Sequence, residues 1–440
     1  MKNSRQNTAS LFDDIITSTS IGFIRAVVLV AIVSAITAQA QTFQVLHTFT
    51  GPDGAGPNGL IMDRGGRLYG GAGGGGSNNL GLVFRAIDLG GWIVAPLHQF
   101  APPLTNGDGP ETPAFGPDGN VYGVTGGGGD LAGNCVSDGQ GCGGVFKLQP
   151  PAIACGSILC AWNETVLYQF TGHPTDGDIP SGGVAFDAAG NLYGTTAYGG
   201  NGTCAQPPLP NYGCGIVYKL SHSAGGWTET VIYNFQGAND GYSPRGTLII
   251  DAAGNLYGVA EGGSGGDGVV YELSPSHGAW TQTIIHSFQG SDGSYPGALI
   301  ADSSGNLYGI TGLGGAHNVG TVFQLTQPGT WNFQTLYSFS STANGTYPEG
   351  GLTRDSAGNF YGATQDGGTY DYGVAFKLSL SNGNWVETVL HSFNGSPDGL
   401  YPNVQLVDSA GIVYGTSATG GNTNLCYPNF GCGTLWRITP

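Results

Sequence analysis

Short runs of alternating apolar and polar residues, separated by turn-forming residues, repeat along the chain from residue 42 to its end. In residues 297–339 four such runs read GALIAD, NLYGIT, GTVFQL and WNFQTLYSF, and they are named A to D here. Gly, Ser and Pro clusters separate these runs, as they do between antiparallel strands. Each unit is therefore predicted to be a small four-stranded sheet.

Three sequence strings recur with these predicted strands. G-x-V-F-K-L occurs seven times, and W-x-x-T-x-L-Y-x-F occurs six times with a seventh copy, lacking its Trp, at Thr42–Phe49. Four-stranded repeats of about 40–55 residues are typical of β-propeller blades. We predict an all-β protein in which residues 41–440 form a single seven-bladed β-propeller domain. The third string, G-N-L-Y-G with its variants, has the tyrosines Tyr69, Tyr122, Tyr193, Tyr257, Tyr308, Tyr361 and Tyr414.

The two ends of the repeat region complement each other. It begins with a lone D strand, Thr42–Phe49, and ends with strands A, B and C in Asn403–Ile438. If the first strand joins the last blade, all seven blades are complete and the ring closes without an exposed sheet edge, which is a known liability. The pattern leaves open which strand lies innermost.

Composition narrows the class of protein. Charged residues make up 9% of the chain, aromatic residues 11%, and glycine contributes 82 of the 440 residues. The scarcity of Lys, Glu and Met argues against a mostly helical protein, and the aromatic content argues against disorder. The net charge of −17 argues against nucleic acid as a partner.

Residues 1–40 are predicted to be a signal peptide. Basic residues, among them Arg25, precede an apolar run from Ala26 to Ile36, and Ala38-Gln39-Ala40 follows it as an A-x-A cleavage site. We expect export to the periplasm, the outer surface or the medium, without a membrane span after cleavage. The alternative is a retained anchor, but this run is short for a span of about 20 residues.

The eight cysteines fall into four close pairs. Closely spaced pairs in even number are typical of disulfides in an oxidising compartment, whereas zinc sites use C-x-x-C spacings or nearby histidines that these pairs lack. We predict four disulfides: Cys135/Cys142, Cys155/Cys160, Cys204/Cys214 and Cys426/Cys432.

The repeat D-x-x-G-N-L-Y-G-x-T…G-x-V-F-K-L resembles the GloVer tandem repeat of bacterial exported proteins described as "choice-of-anchor". The resemblance covers residues 42–438 with seven matches. It implies export and a tandem-repeat architecture but no reaction, so no catalytic residue is carried over. Because the sequence ends Arg437-Ile438-Thr439-Pro440, we expect no C-terminal sorting tail.

The loops from D to A and from B to C share one face of a propeller, and loops on a rigid scaffold often carry function. The D-to-A loops hold the motif Asp-Gly-x-x-Pro, whose acids either cap their own loops or form a ring that could bind Ca²⁺. Asp176 and Asp178 form the densest local cluster; no other metal and no cofactor are expected. The pairs are Asp53/Pro57, Asp176/Pro180, Asp240/Pro244, Asp292/Pro296 and Asp398/Pro402, with Asn344/Pro348 as a variant and Asp108/Pro113 one residue longer.

Two sets of residues on this face are candidates for ligand binding. Tyr295, Tyr347 and Tyr401 precede the proline of their loops in three consecutive blades, and they either stack on sugar rings or pack over their own prolines. The second set is the polar residues that break the repeat, since departures from a repeat mark places where function has been added. They are Glu111, Arg245, Glu261, Glu349 and Asp366.

Other recurrent polar and aromatic residues are interpreted as structural. His47, His98, His286 and His391 share one strand-D position with Tyr168, Tyr233 and Tyr337, the six strand-D tryptophans pack between blades, and the aspartates after strand A are turn residues.

These patterns favour a monomeric, non-catalytic binding or cell-surface module whose ligand is a carbohydrate or another extracellular protein. The alternatives are an exported propeller enzyme that cleaves a polysaccharide or a lactone with the irregular polar residues, and a purely structural envelope component. An enzyme requires non-repeating polar residues that converge at the channel, whereas a binding module requires a repeated aromatic and polar surface.

Overall fold

The structure is a computed structural model. It describes residues 41–440 except 137–139, 153–159, 207–208, 211, 238, 328, 423, 425 and 427–429. The predicted signal peptide and Cys155 therefore lie outside the described residues. The compact unit discussed below is Phe43–Ile438.

Seven antiparallel sheets of the predicted A-B-C-D order make up this unit, and the described residues contain no α-helix. The protein is a seven-bladed β-propeller. Blade 1 consists of β2 (Ala55–Met62), β3 (Leu68–Gly74), β4 (Leu82–Asp88) and β5 (Trp92–Gln99), and blade 2 of β6 (Asp108–Pro110) with β7 (Ala114–Phe115), β8 (Val121–Gly127), β9 (Gly144–Gln149) and β10 (Asn163–Gln169). Blade 3 consists of β11 (Gly177–Phe186), β12 (Leu192–Gly199), β15 (Ile216–Ser223) and β16 (Gly226–Asn234). Blade 4 consists of β17 (Tyr242–Ile250), β18 (Leu256–Glu261), β19 (Val269–Ser276) and β20 (Ala279–Ser287).

The remaining blades follow the same plan, and the last one closes the ring. β1 (Thr42–Thr48) pairs with the final strand, β32 (Thr434–Thr439). The strand order in blade 7 is therefore β1, β32, β31 (Val413–Thr419) and β30 (Leu400–Val407), and the predicted closure is confirmed. Blades 5 to 7 are β21 (Ser294–Pro296) with β22 (Ile300–Ala301), β23 (Leu307–Leu313), β24 (Thr321–Thr326) and β25 (Asn332–Ser338); β26 (Thr346–Arg354), β27 (Phe360–Asp366), β28 (Val374–Ser381) and β29 (Asn384–Ser392); and β30 (Leu400–Val407), β31 (Val413–Thr419), β32 (Thr434–Thr439) and β1.

Short elements in the loops complete the described secondary structure. The hairpin β13 (Ala205–Gln206) and β14 (Leu209–Pro210) lies in a B-to-C loop, and two 3₁₀ helices, Leu104–Asn106 and Thr342–Asn344, lie in D-to-A loops.

Aromatic rings join neighbouring blades as predicted. The strand-D tryptophan of one blade meets the repeat tyrosine of the blade before it, as in Trp162 with Tyr69, whose ring centroids are 6.1 Å apart. The hydroxyl of Tyr69 in turn donates to the turn carboxylate of Asp63 at 3.1 Å. The tryptophans and turn aspartates are therefore part of the packing.

Strand A is the innermost strand, because the A strands of adjacent blades contact each other around the axis. The amide of Asn58 donates to the carbonyl of Pro110 at 3.2 Å, and the hydroxyl of Ser181 donates to that of Pro244 at 3.0 Å. These strands begin within the Asp-Gly-x-x-Pro motifs, earlier than the sequence pattern predicts. Proline is tolerated there because an inner edge strand needs no further ladder hydrogen bond.

The motif proline of each blade also packs closely against the preceding blade. A Cβ added to the first glycine of the G-x-V-F-K-L string would lie under 3.0 Å from the proline of the next blade, as for Gly320 with Pro348. These glycines also have positive φ, 104° at Gly320, which L residues rarely adopt. Glycine is thus required at this position of the repeat for two independent reasons.

The motif predicted in blade 2, from Asp108 to Pro113, is wrong, and the true motif proline lies three residues earlier. Pro110, rather than Pro113, packs against the glycine of the preceding blade, and it pairs with Thr125 as Pro348 pairs with Thr364. The motif therefore starts at Asn106, which ends a 3₁₀ helix as Asn344 does. The spacing from Asp108 to Pro113 imitated the motif without occupying its place.

Three of the predicted disulfides are formed, Cys135–Cys142, Cys204–Cys214 and Cys426–Cys432. Cys160 is also disulfide-bonded. In the described part of the chain, no helix has the length and apolar character required to span a bilayer.

Candidate functional site

The channel opens on the face of the D-to-A and B-to-C loops into a cavity of about 500 Å³. Its wall comes mainly from strand A and the end of strand B in blades 1, 4, 5, 6 and 7. The lining residues are Pro57, Asn58, Arg245, Gly246, Tyr295, Pro296, Gly297, Ala298, Gly312, Leu313, Tyr347, Pro348, Glu349, Gly350, Gln365, Tyr401, Pro402, Asn403, Thr416 and Ala418. We call this cavity the mouth.

The residue before each motif proline, the pre-proline position, has a left-handed backbone in all seven blades. Its φ is 57° at Tyr295, 57° at Tyr347 and 53° at Tyr401. The backbone N–H of Tyr295 donates to the carbonyl of Asp267 on the previous blade at 2.9 Å, and this contact holds the unusual conformation. The other residues at this position are Gly56, Gly109, Ile179 and Ser243.

The three tyrosines present their rings to solvent at the mouth. Their exposed fractions are 50%, 40% and 43%, whereas the prolines that follow them are buried against the preceding blade. About half of each side chain is therefore accessible to a ligand at the mouth. The rings form an arc over blades 5, 6 and 7.

The residue after each motif proline, the post-proline position, lies on the innermost strand and varies in type between blades. Strand pairing shifts register directly after it, as between Glu349 and Thr353, and such bulges re-aim side chains. The seven residues are Asn58, Glu111, Ser181, Arg245, Gly297, Glu349 and Asn403. The repeated aromatic set and the non-repeating polar set therefore meet at the same mouth.

A third ring, the strand-B position, lies four residues after each repeat tyrosine. It contains Glu261, which forms an ion pair with Arg245 across strands A and B of blade 4. It also contains Gln365 and Gly312, both of which line the mouth. The remaining members are Gly73, Gly126, Ala197 and Ala418.

Arg245 is the cation of the mouth, and it lies among acidic and phenolic groups. Burial lowers the pKa of Arg245, while Glu349 and the phenols of Tyr242 and Tyr295 oppose that change. Glu349 is exposed to the mouth, but the surrounding walls remove part of its hydration and raise the pKa of its carboxyl. The side chains of Arg245, Glu349 and Glu261 together give the site a formal charge of −1.

Glu111 is the most strongly desolvated acid of the post-proline ring. Burial raises the pKa of Glu111 to about 7. One of its oxygens accepts a long hydrogen bond of 3.5 Å from the amide of Asn58, which itself lines the mouth. The carboxyl of Glu111 therefore exchanges protons in the neutral range at the edge of the cavity.

Five of the eight predicted ligand-binding residues line the mouth, and two more lie beside it, Glu261 in contact with Arg245 and Glu111 in contact with Asn58. Asp366 lies one residue beyond the strand-B position and does not line the mouth. Burial and the charge of Asp371 raise the pKa of its carboxyl. Sequence reasoning missed Asn58, Gln365 and Asn403. The sequence could have identified them, because they occupy the same repeat positions as the charged candidates.

The aspartates of the motif cap their own loops. Asp176 accepts hydrogen bonds from the Tyr168 hydroxyl at 2.9 Å, from the backbone and hydroxyl of Thr171, and from the backbone of Gly177. Asp178 is fully buried and accepts one from the backbone of Val136 at 2.6 Å, and burial raises its pKa to about 6. Asp176 is thus satisfied by the protein itself, and calcium binding at Asp176 and Asp178 stays a prediction.

Three residues meet at each junction between blades. The first is the His or Tyr of strand D, and the second is the Asp or Asn of the motif that follows it. The third comes from strand D of the next blade, two residues after its tryptophan position. Where the motif has Asn, this third position supplies the acid: Tyr337 donates to Glu387 at 2.7 Å beside Asn344. Where the motif has Asp, the third residue is uncharged at four junctions, for example Phe333, which stacks on His286 with centroids 3.8 Å apart.

The junction between blades 2 and 3 departs from this rule because it holds two acids, Asp176 and Glu229. Burial and the charge of Asp176 raise the pKa of Glu229 to about 8, so Glu229 is protonated at neutral pH. At the next junction the equivalent residue is Gln282, which accepts from Tyr233 at 3.0 Å and donates to the carbonyl of Asp240 at 3.1 Å.

Glu229→Gln should therefore stabilise the protein in a pH-dependent way. The unfolded chain releases the Glu229 proton near its ordinary value of 4.5, and the folded chain releases it only near 8. The wild type consequently loses stability as the pH rises through this interval, whereas the variant does not. Melting temperatures of both proteins should coincide near pH 4 and separate progressively up to pH 8.

Gln282→Glu provides the matched control, since it creates a second two-acid junction. It should lose stability relative to the wild type over the same pH range. Parallel melting profiles for Glu229→Gln and the wild type from pH 4 to 9 would show that Glu229 does not carry a displaced proton.

Comparison with known families agrees with the repeat analysis. The Gloeobacter/Verrucomicrobia repeat matches the chain twice, over residues 31–206 and 202–427. The chain belongs to the Gloeobacter/Verrucomicrobia repeat family. The expected GloVer-type resemblance is thereby confirmed. None of the curated proteins compared with this repeat protein matches it significantly.

Solved structures resemble this member of the repeat family in fold. A catalytically inactive virginiamycin B lyase from Staphylococcus aureus, solved with quinupristin, has a TM-score of 0.51 at 11% identity, over 91% of this chain and 99% of that chain. An ulvan lyase of a polysaccharide lyase family has a TM-score of 0.49 at 10% identity, over 89% and 95%. At such identities the likeness shows the fold alone.

Proposed function

We propose that this repeat protein binds a carbohydrate chain at the mouth, outside the cytoplasm. The observation that carries the proposal is the arc of Tyr295, Tyr347 and Tyr401, which stay 40–50% exposed on left-handed backbone. A non-glycine residue in this conformation costs roughly 1–2 kcal/mol. The repeat imposes this backbone in all seven blades, and in blades 5 to 7 it carries exposed rings for which burial in a core does not account.

The chemistry of the mouth suits sugars. Tyrosine rings offer rigid, amphipathic faces with a hydroxyl at one end and lose little conformational entropy on binding. Asn58, Asn403 and Gln365 add amide donors and acceptors that match sugar hydroxyls. A cavity of about 500 Å³ with a few convergent polar groups is of the size that small ligands occupy.

The charges of the mouth favour a neutral carbohydrate. Arg245 is the cation of the lining, and it already faces Glu261 and Glu349. A polyanionic sugar would have to compete with these carboxylates and with the net charge of −17 of the chain.

Export is supported by the covalent structure. Three disulfides are formed within the described residues, and disulfides persist in oxidising compartments outside the bacterial cytoplasm.

One observation favours catalysis as a second candidate. Glu111 has a carboxyl with a pKa of about 7 beside Asn58 of the lining, and a group with such a pKa can give and accept a proton near neutral pH. The enzyme would cleave the same carbohydrate chain that the mouth binds.

A glycan array of plant, algal and bacterial polysaccharides tests the proposal with two matched variants. Gly312→Trp places an indole in the mouth from a strand-B position whose Cβ would lie no closer than 3.7 Å to other atoms. Gly126→Trp makes the same change in blade 2, away from the mouth, where the nearest atom is also at 3.7 Å. Wild type and Gly126→Trp should bind the same glycans, and Gly312→Trp should bind them at least about tenfold more weakly.

Two other outcomes would change this conclusion. Equal binding by Gly312→Trp, or binding to no neutral glycan by any of the three proteins, would contradict a carbohydrate site at the mouth. New reducing ends on incubation with a bound polysaccharide would assign the same site to catalysis.

A further inference from the structure

A second cavity, of about 570 Å³, lies on the same face between blades 7 and 1. Its wall includes Thr50, Gly56, Gly73, Thr419 and Gly431, and it shares Ala418 with the mouth. The two cavities are therefore neighbours along one surface.

Blade 1, between the two cavities, lacks the tyrosine of blades 5 to 7. Gly56 occupies the pre-proline position there, with φ of 63° as at the tyrosines. A Cβ at Gly56 would come no closer than 4.0 Å to the carbonyl oxygen of Ala418, and one at Gly73 would meet nothing within 4 Å. No side chain of these two residues closes the route from the mouth.

The far wall of the second cavity is held in place covalently. The disulfide Cys426–Cys432 ties Cys426 to Cys432, which lies two residues before β32, and Cys426 and Gly431 both line the cavity. A Cβ at Gly51 of the opposite wall would lie 3.4 Å from the Cys426 sulfur. The cavity is thus part of the folded scaffold.

The described residues that line the second cavity carry no charged side chain. Its side-chain polar groups are those of Thr50, Asn79 and Thr419, and the glycines expose backbone amides and carbonyls beside them. Hydroxyl and amide groups without charge match the hydroxyls of a neutral sugar and give no preference for an ionic ligand.

We propose that the second cavity binds further units of the carbohydrate chain that occupies the mouth, so that the ligand is an extended neutral oligosaccharide. This inference rests on the proposed function. The chain runs from the tyrosine arc of blades 5 to 7, past Ala418 and Gly56, into the cavity beside the Cys426–Cys432 disulfide.

The experiment measures affinity against chain length. The probes are β-1,4-linked gluco-, manno- and xylo-oligosaccharides of one to six sugars, with α-1,4-linked oligogalacturonides as the charged comparison, titrated by calorimetry. Gly73→Trp fills the second cavity from a strand-B position where Glu261 and Gln365 show that long side chains fit. Gly126→Trp is the matched control outside both cavities.

For the wild type and Gly126→Trp, affinity should rise by at least about tenfold between the disaccharide and the hexasaccharide of the preferred series. In Gly73→Trp this rise should disappear while disaccharide binding stays unchanged. Binding that does not depend on length, or a rise that survives in Gly73→Trp, would overturn the extended site and leave the mouth site standing. Absence of binding to every probe by the wild type would overturn both.

Discussion

Removal of Phe43–Phe49 should abolish the cooperative unfolding of the propeller. Strand β1 supplies the outer strand of blade 7 and buries Leu46 and Phe49, which are 9% and 0% exposed. Loss of one buried Leu or Phe side chain costs about 2–5 kcal/mol, and a whole domain is stable by only about 5–15 kcal/mol. The deletion also leaves the edge of β32 unpaired, so we expect aggregation beside a broad melting transition.

Two controls separate ring closure from general damage. Gln44→Ala removes only an exposed side chain that accepts from Arg437 at 3.0 Å, and it should change stability by no more than about 0.5 kcal/mol. A synthetic peptide of residues 41–50 should restore a sharp transition to the deleted protein by adding the missing strand. A deleted protein that melts as sharply and as high as the intact one would refute the closure mechanism.

Much of the fold was predictable because each repeat contains its own strand pattern and turn signals. Seven copies of one pattern fix the number of blades, and the split of strands between the two ends fixes the closure. The innermost strand was not predictable from the pattern, because it depends on contacts such as that of Asn58 with Pro110, which join residues 52 apart. The motif of blade 2 was misplaced because Asp108 and Pro113 imitate its spacing.

The candidate site was predictable in its charged and aromatic members but not in its organisation. Tyr295 and Arg245 stand out in sequence, whereas Asn58 and Gln365 look like ordinary surface amides until the repeats are aligned on the motif proline. The junction acids contact strand D of the preceding blade, as Glu387 of blade 6 accepts from Tyr337 of blade 5. Such pairs are visible only after the structure has shown which positions face each other.

Replacement of Tyr295, Tyr347 and Tyr401 by alanine should abolish carbohydrate binding with little effect on folding. Stacking contacts with aromatic rings commonly dominate the energy of a binding site, and loss of three of them should reduce affinity by at least about a hundredfold. The rings are 40–50% exposed, so their loss removes little buried surface. The backbone stays left-handed in the variant and is held by hydrogen bonds such as that from Tyr295 to Asp267.

Replacement of the same three tyrosines by phenylalanine is the informative control. It keeps the ring faces and removes only the hydroxyls, so it should retain most of the affinity if stacking provides the binding energy. A lower melting temperature in the alanine variant than in the phenylalanine variant would instead support rings that pack over their prolines.

The most direct measurement is therefore a calorimetric titration of wild type, triple-phenylalanine and triple-alanine proteins with the neutral oligosaccharide that the screen selects, alongside their melting curves. We expect binding by the first two, no measurable binding by the third, and three similar melting temperatures. Undiminished binding by a stably folded triple-alanine variant would contradict a carbohydrate site at the mouth of the propeller.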